Sequence, residues 1–151
     1  NLSVITGRRQ RMGIDDKKPK ITHIALKVED ADKASKFYQE VFGFVPTDTR
    51  RDGDHVSVHL TDGEFDLAMV SFDSEEDSVM AKIAGTGPCI HHFGIDVDDM
   101  ESMVSKIKEL GGEILPDPSN PGGTTVKFRV PGGGGITEIA PVDWHARKVG
   151  S

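Results

Sequence analysis

Apolar and polar residues alternate along Ile21 to Val28, with Ile24, Leu26 and Val28 on one face and His23, Ala25 and Lys27 on the other, the two-residue period of a strand. The period then changes. Ala34, Phe37, Tyr38 and Val41 recur at helical spacing behind Asp30 or Asp32, acidic residues suited to a helix start, and Gly43 stands where a helix commonly stops. Further on, Phe44 to Arg50 is strand-like and Arg51-Asp52-Gly53-Asp54 is a turn cluster. His55 to Leu60 alternates, Asp62-Gly63 is a hairpin signal, and Glu64 to Phe72 is the next strand. The predicted unit is strand, helix, strand, strand, strand.

A second copy follows. Placing ITHIALKVEDADKASKFYQEVFGFV (21 to 45) against PCIHHFGIDVDDMESMVSKIKELGGE (88 to 113) puts His23 on His92, Val28 on Val97 and Gly43 on Gly112, always 69 residues apart. Phe93, Ile95 and Val97 oppose His92, Gly94 and Asp96. Asp98 or Asp99 opens a helix carrying Met100, Met103, Val104 and Ile107, and Gly111 ends it. Glu113 to Leu115 is a short strand, PDPSNPGG a loop, Thr124 to Val130 a strand, PGGGG a turn and Ile136 to Ala140 the last strand. Neither copy can bury a sheet face alone, so the two are expected to pair. The expected organisation is one α+β domain over 21–141, with module 1 at 21–72, a linker at 73–87 holding a short helix, and module 2 at 88–141. Residues 1–20 are expected to be a disordered leader and 142–151 a polar C-terminal tail.

Length and charge narrow the function. The chain of 151 residues is the size of one domain. A net charge of −7 argues against a nucleic-acid footprint, and no apolar run approaches the roughly 18 residues of a membrane helix. The single cysteine, Cys89, excludes an internal disulfide, fits a reducing cytoplasm and is expected to be a small core residue. The first 20 residues carry six basic side chains without a sustained period, and Met12 is a candidate native start.

The repeat also organises the chemistry. Equivalent positions in paired units are related by a local twofold axis, so His23 and His92 are expected to meet in the space between the modules. Glu138, interrupting apolar neighbours on the last strand, is costly to bury unless paired or bound to a cation. Asp66, also followed by an apolar residue and alanine, is taken as its counterpart in the first module. It could instead cap a turn or pair with Lys27 or Arg129. Two imidazoles and one or two carboxylates suit a divalent ion such as Fe(II), Mn(II), Co(II), Ni(II) or Zn(II). His91 is expected to point to the opposite face from His92. His55, His59 and His145 have no repeat partner; His59 is a candidate proton shuttle, with a surface position as the plainer reading. Phe37 and Tyr38 lie at core spacing. Arg129 and Lys127 are candidates to orient an anionic substrate, only one of them facing inward.

HIALKVEDADKASKFYQEVFGF, HHFGIDVDDMESMVSKIKELGG and ITEIAP resemble the vicinal oxygen chelate superfamily. That family holds glyoxalase I, methylmalonyl-CoA epimerase, extradiol dioxygenases, and fosfomycin and bleomycin resistance proteins. The resemblance implies two βαβββ modules forming a cupped mixed sheet, a homodimer, and a divalent metal bound by His23, His92 and Glu138, with Asp66 in the fourth ligand slot. It also implies metal-assisted lyase or isomerase chemistry on a small oxygen-chelating substrate, with Glu138 or Asp66 removing an α-proton to form an enediolate. Two alternatives stand beside it. One is an Fe(II)-dependent dioxygenase, although VKFRVPGGGGITE lacks the tyrosine that such enzymes carry before the final glutamate. The other is a non-catalytic small-molecule-binding protein.

Overall fold

The computed structural model describes residues 19–145; the expected leader up to residue 18, the candidate start Met12 and the tail beyond residue 145 lie outside the described residues. The elements run β1 (Lys20–Lys27), α1 (Ala31–Phe42), β2 (Val45–Asp52), β3 (His55–Thr61), β4 (Asp66–Phe72), α2 (Val79–Ile83), β5 (Cys89–Val97), α3 (Met100–Glu109), β6 (Glu113–Leu115), β7 (Val126–Arg129) and β8 (Ile136–Pro141). Omitting α2, this is one βαβββ unit twice. β4 starts at Asp66 rather than Glu64 because the turn takes more chain: the Asp62 carboxylate accepts the N–H groups of both Glu64 and Phe65 at 2.8 Å.

All eight strands form one sheet in the order β2-β3-β4-β1-β5-β8-β7-β6. Each module pairs its first and last strands in parallel, and β1 joins β5 antiparallel at the centre. His23 lies opposite Gly94, and Ala25 opposite His92. Adding the 69-residue offset to one pair produces the other (23 + 69 = 92, 25 + 69 = 94), so the local twofold passes between β1 and β5. Both modules thus deliver their first-strand histidine to the same place.

α1 and α3 cover the convex side. Asp30 caps α1 by accepting the Lys33 N–H, Asp99 caps α3 through Ser102, and Gly43 closes α1 at φ 70°. Beneath α1, Ala31, Val58, Leu60 and Met69 form a buried cluster with Tyr38 and Leu67 packed on it; beneath α3 lie Val97, Phe128 and Ile139. Tyr38 therefore packs as its spacing predicts, whereas Phe37 is turned outward and exposed. Cys89 is half-buried at the start of β5 rather than a core residue.

The histidine face of β1 is the more deeply buried one. His23, Ala25 and Lys27 are buried on the concave side, while Ile24 and Leu26 remain partly accessible. A buried lysine needs partners, and Lys27 donates to the carbonyls of Ala81 and Gly85, tying α2 and the segment after it to the sheet. Among the described residues no helix is long and apolar enough to cross a membrane.

Candidate metal centre

Three predicted residues converge at the centre of the concave face. The Nε2 atoms of His23 and His92 are 3.1 Å apart, and Glu138 places Oε2 3.5 Å from the Nε2 of His92 and Oε1 4.0 Å from that of His23. All three side chains are buried. Glu138 arrives through β8, whose register sets it beside Gly94. Gly94 also makes room: a Cβ there would lie 2.9 Å from the Cβ of His23.

The hydrogen bonds settle which ring nitrogens are bare. His23 turns Nδ1 to the Asp66 carboxylate at 2.5 Å; a carboxylate only accepts, so Nδ1 carries the proton and Nε2 the lone pair. His91 Nε2 donates to the carbonyl of Met80 at 2.7 Å, which leaves its Nδ1 as acceptor for the Nδ1–H of His92 at 2.8 Å. His92 Nε2 is therefore bare as well. Burial lowers the pKa of all three imidazoles, His91 to about 4 and His92 to about 3, so they are neutral near pH 7. Two bare lone pairs and a carboxylate facing one another are mutually repulsive until a proton or a cation lies between them. These donors suit a borderline divalent ion such as Zn(II).

His91 departs from the alternation that predicts the opposite face for it. Along β5, Ala25 pairs with His92 and Leu26 with Ile90, so His91 is the extra residue of a β-bulge. The bulge keeps His91 close enough to hold His92.

Asp66 is not the counterpart of Glu138. The parallel pairs place Ala25 beside Ala68 in module 1 and Gly94 beside Glu138 in module 2. Since Gly94 is the repeat of Ala25, Ala68 is the repeat of Glu138, and Asp66 corresponds to Ile136. The shared apolar-alanine context is misleading by one pleat. Asp66 is fully buried on the far side of His23, where His59 Nδ1 lies 3.0 Å from each of its oxygens and His145 Nδ1 lies 3.3 Å from Oδ2. Burial acts to raise its pKa, but the three histidines outweigh it, and the carboxyl is held far below its ordinary value.

His59 is buried in this cluster rather than on the surface, and its Nε2 meets the Ser57 hydroxyl at 3.1 Å. His145 is the residue that repeat reasoning misses. A turn after β8, with the Trp144 N–H bonded to the Pro141 carbonyl and Asp143 at φ 64°, folds the chain back into the cup. There His145 stacks on His23 with ring centres 3.8 Å apart and 5° between planes, and its Nε2 donates to Glu138 Oε1 at 3.0 Å. Burial opposes its charge, but Asp66 and Glu138 dominate and raise it to about 9. The neighbouring Trp144 ring rests on the Arg50 guanidinium 5.4 Å away, an aromatic contact in a tail otherwise polar and the one signal that it packs.

Of the two cationic candidates, Lys127 enters the cavity and places Nζ 3.0 Å from Glu138 Oε2. Arg129 donates instead to the Ile83 carbonyl at 2.9 Å and lies outside that cavity. Positions two apart on a strand share a face, so reach along β7, not alternation, separates them. Burial acts to raise the pKa of Glu138, yet the Lys127 ammonium and the His145 imidazolium hold it well below the ordinary value, and it is ionised. The cavity over this centre is lined by Arg50, His55, Ser57, Asn120 and Thr125 as well as the cluster itself.

Residues 20–137 match the model of the Glyoxalase/Bleomycin resistance protein/Dioxygenase superfamily. The chain belongs to that superfamily. The matched span ends one residue before Glu138. A probable lactoylglutathione lyase from Synechocystis is 29% identical over 118 residues, covering 72% of this chain and 84% of that one. A lactoylglutathione lyase from Neisseria meningitidis is 26% identical over 119 residues, covering 72% and 80%. Among solved structures, methylmalonyl-CoA epimerase from Mycobacterium tuberculosis superposes with a TM-score of 0.64 at 18% identity, over 80% of this chain and 87% of that one. At that identity the likeness is one of fold: the paired βαβββ modules and single curved sheet are those of the glyoxalase superfamily.

Proposed function

We propose that this glyoxalase-superfamily chain is a divalent-metal-dependent lyase or isomerase acting on a small substrate with neighbouring oxygens, with His23, His92 and Glu138 holding the ion. The observation that carries the reading is the pair of bare Nε2 atoms facing each other at 3.1 Å beside an ionised glutamate. A divalent ion bound there supplies Lewis acidity to a substrate carbonyl. The protein groups do the rest. Glu138 lines the cavity and is the candidate base: it takes the proton α to the carbonyl, the electron pair passes to the carbonyl oxygen as an enediolate, and the proton is returned to the adjacent carbon. Asp66 reaches the cavity only through its histidines, so we assign it the orientation of His23. Lys127 is placed to meet an anionic oxygen of the substrate. The names of the curated relatives favour a hemithioacetal of glutathione as the first substrate to test.

A second reading has one observation in its favour. With Ala68 at the position equivalent to Glu138, the protein ligand set is two histidines and one carboxylate, the triad common to non-haem Fe(II) oxygenases. Elemental analysis of purified protein, followed by assays with a hemithioacetal, methylmalonyl-CoA and a catechol, separates the proposals. Exchange of the substrate α-hydrogen with solvent without oxygen uptake supports the isomerase; oxygen uptake with catechol supports the dioxygenase. Absence of stoichiometric metal, together with ligand binding unaffected by His92→Ala, leaves a binding protein. A homodimer in a reducing cytoplasm is the assembly and compartment we propose, on the strength of exposed Ile21 and Ile90 at the central strands and the lone Cys89.

A further inference from the structure

We propose that His59, Asp66 and His145 form a second divalent-cation site behind the first, joined to it by the hydrogen bond from His23 to Asp66. It goes beyond the reading above and touches the first site through that hydrogen bond and through the one from His145 to Glu138. His59, Asp66 and His145 are 5%, 0% and 6% exposed, and one ligand atom from each, together with one from His23, lies within 4.8 Å of the others. Donors bound to one Zn-like ion at about 2.0–2.2 Å stand about 3–3.5 Å apart. The Nδ1 atoms of His59 and His145 lie 3.0 and 3.3 Å from Asp66 oxygens, already at that spacing.

His145 supplies the second, independent sign. Its Nε2–H is committed to Glu138, while its buried Nδ1 has no hydrogen-bond partner although it lies at ion-pair distance from Asp66 Oδ2. A proton there sits in poor geometry; a cation needs no such direction and satisfies the nitrogen and the carboxylate together. His59 can present a bare Nδ1 because the Ser57 hydroxyl at its Nε2 accepts a proton as readily as it donates one. His23 keeps its Nδ1 proton on Asp66, so an ion in the second site draws charge from that carboxylate and weakens His23 as a donor to the first. Neither His59 nor His145 has a counterpart in the duplicated pattern, so this site arises from module 1 and the tail alone.

The test is a Zn(II) titration of the chelator-treated full chain, counted by native mass spectrometry and elemental analysis. Far-UV circular dichroism and melting confirm that each variant is folded, and His59→Gln replaces His59→Ala if the latter fails. Two ions are expected in the wild type, one in His59→Ala, one in His145→Ala, one in His92→Ala and none in the His59→Ala/His92→Ala double variant. One ion in the wild type that is retained in His59→Ala and lost in His92→Ala overturns the second site. One ion retained in His92→Ala and lost in His59→Ala keeps it and sinks the His23, His92 and Glu138 reading instead.

Discussion

His91 accepts the Nδ1–H of His92 while donating its own Nε2–H to Met80, so a residue outside the cavity lining decides which nitrogen of His92 is bare. Replacing it with phenylalanine keeps the volume but removes the acceptor, leaving His92 free to change tautomer and to turn. Zn(II) affinity is expected to fall about 10–100-fold, the usual cost of losing an outer-shell partner. Competition with a chromophoric chelator measures it. Unchanged affinity would show that Met80 and His91 do not set the His92 ring.

Gly94 lies directly opposite His23 across the β1–β5 seam. A methyl group there meets Cβ of His23 at 2.9 Å and its ring Cδ2 at 3.0 Å, so the imidazole must move. Gly94→Ala is expected to cost about 1–3 kcal/mol of stability, as overpacking does, and to lower metal affinity. Melting of the metal-free and Zn(II)-loaded forms separates the effects: the stabilisation brought by the ion should shrink in the variant. A variant that gains as much from Zn(II) as the wild type would show that His23 is not a ligand.

The strand-helix periods and the 69-residue repeat place β1, α1, β5 and α3 close to their observed positions, because alternation and caps are local properties. The repeat also brings His23 and His92 together, a long-range consequence that sequence can carry when a unit is duplicated. What it could not carry was register in the last strands. Asp66 and Glu138 share flanking residues but sit one pleat apart, a difference set by how each hairpin closes. His145 was equally hidden, since only a left-handed residue at Asp143 turns the tail back into the cup. The β-bulge at His91 defeats strict alternation for the same reason: it is fixed by the partner strand.

Opposing titrations should give metal-free protein a stability maximum near pH 6.5. Folded His91 and His92 have pKa values lowered to about 4 and about 3 from 6.5, so the unfolded chain binds protons first on acidification. Stability therefore falls as pH drops below 6.5. His145 has the other sign: its value is raised from 6.5 to about 9, so its contribution is complete below 6.5 and is lost as pH rises toward 9. His91 and His92 together imply about 5–10 °C of Tm per pH unit on the acid side, where the lowered pKa of His23 acts in the same direction, and His145 about half that on the alkaline side. Calorimetry in chelator from pH 4 to 9 checks both limbs, and His145→Ala should flatten the alkaline one.

Lys127 competes with a cation for Glu138. Its ammonium sits 3.0 Å from Oε2, the oxygen that also faces His92, so an ion entering the site must share or displace that contact. Lys127→Met removes the competing charge and keeps the apolar stem along the strand. Zn(II) should bind several-fold more tightly, because a cation is attracted to a glutamate without another positive charge beside it. Activity should move the opposite way if Lys127 meets an anionic substrate oxygen: KM is expected to rise about tenfold, the loss of one charge-assisted hydrogen bond. Tighter Zn(II) binding with KM unchanged would confine Lys127 to balancing the charge of Glu138, and the substrate contact would then have to come from another residue lining the cavity.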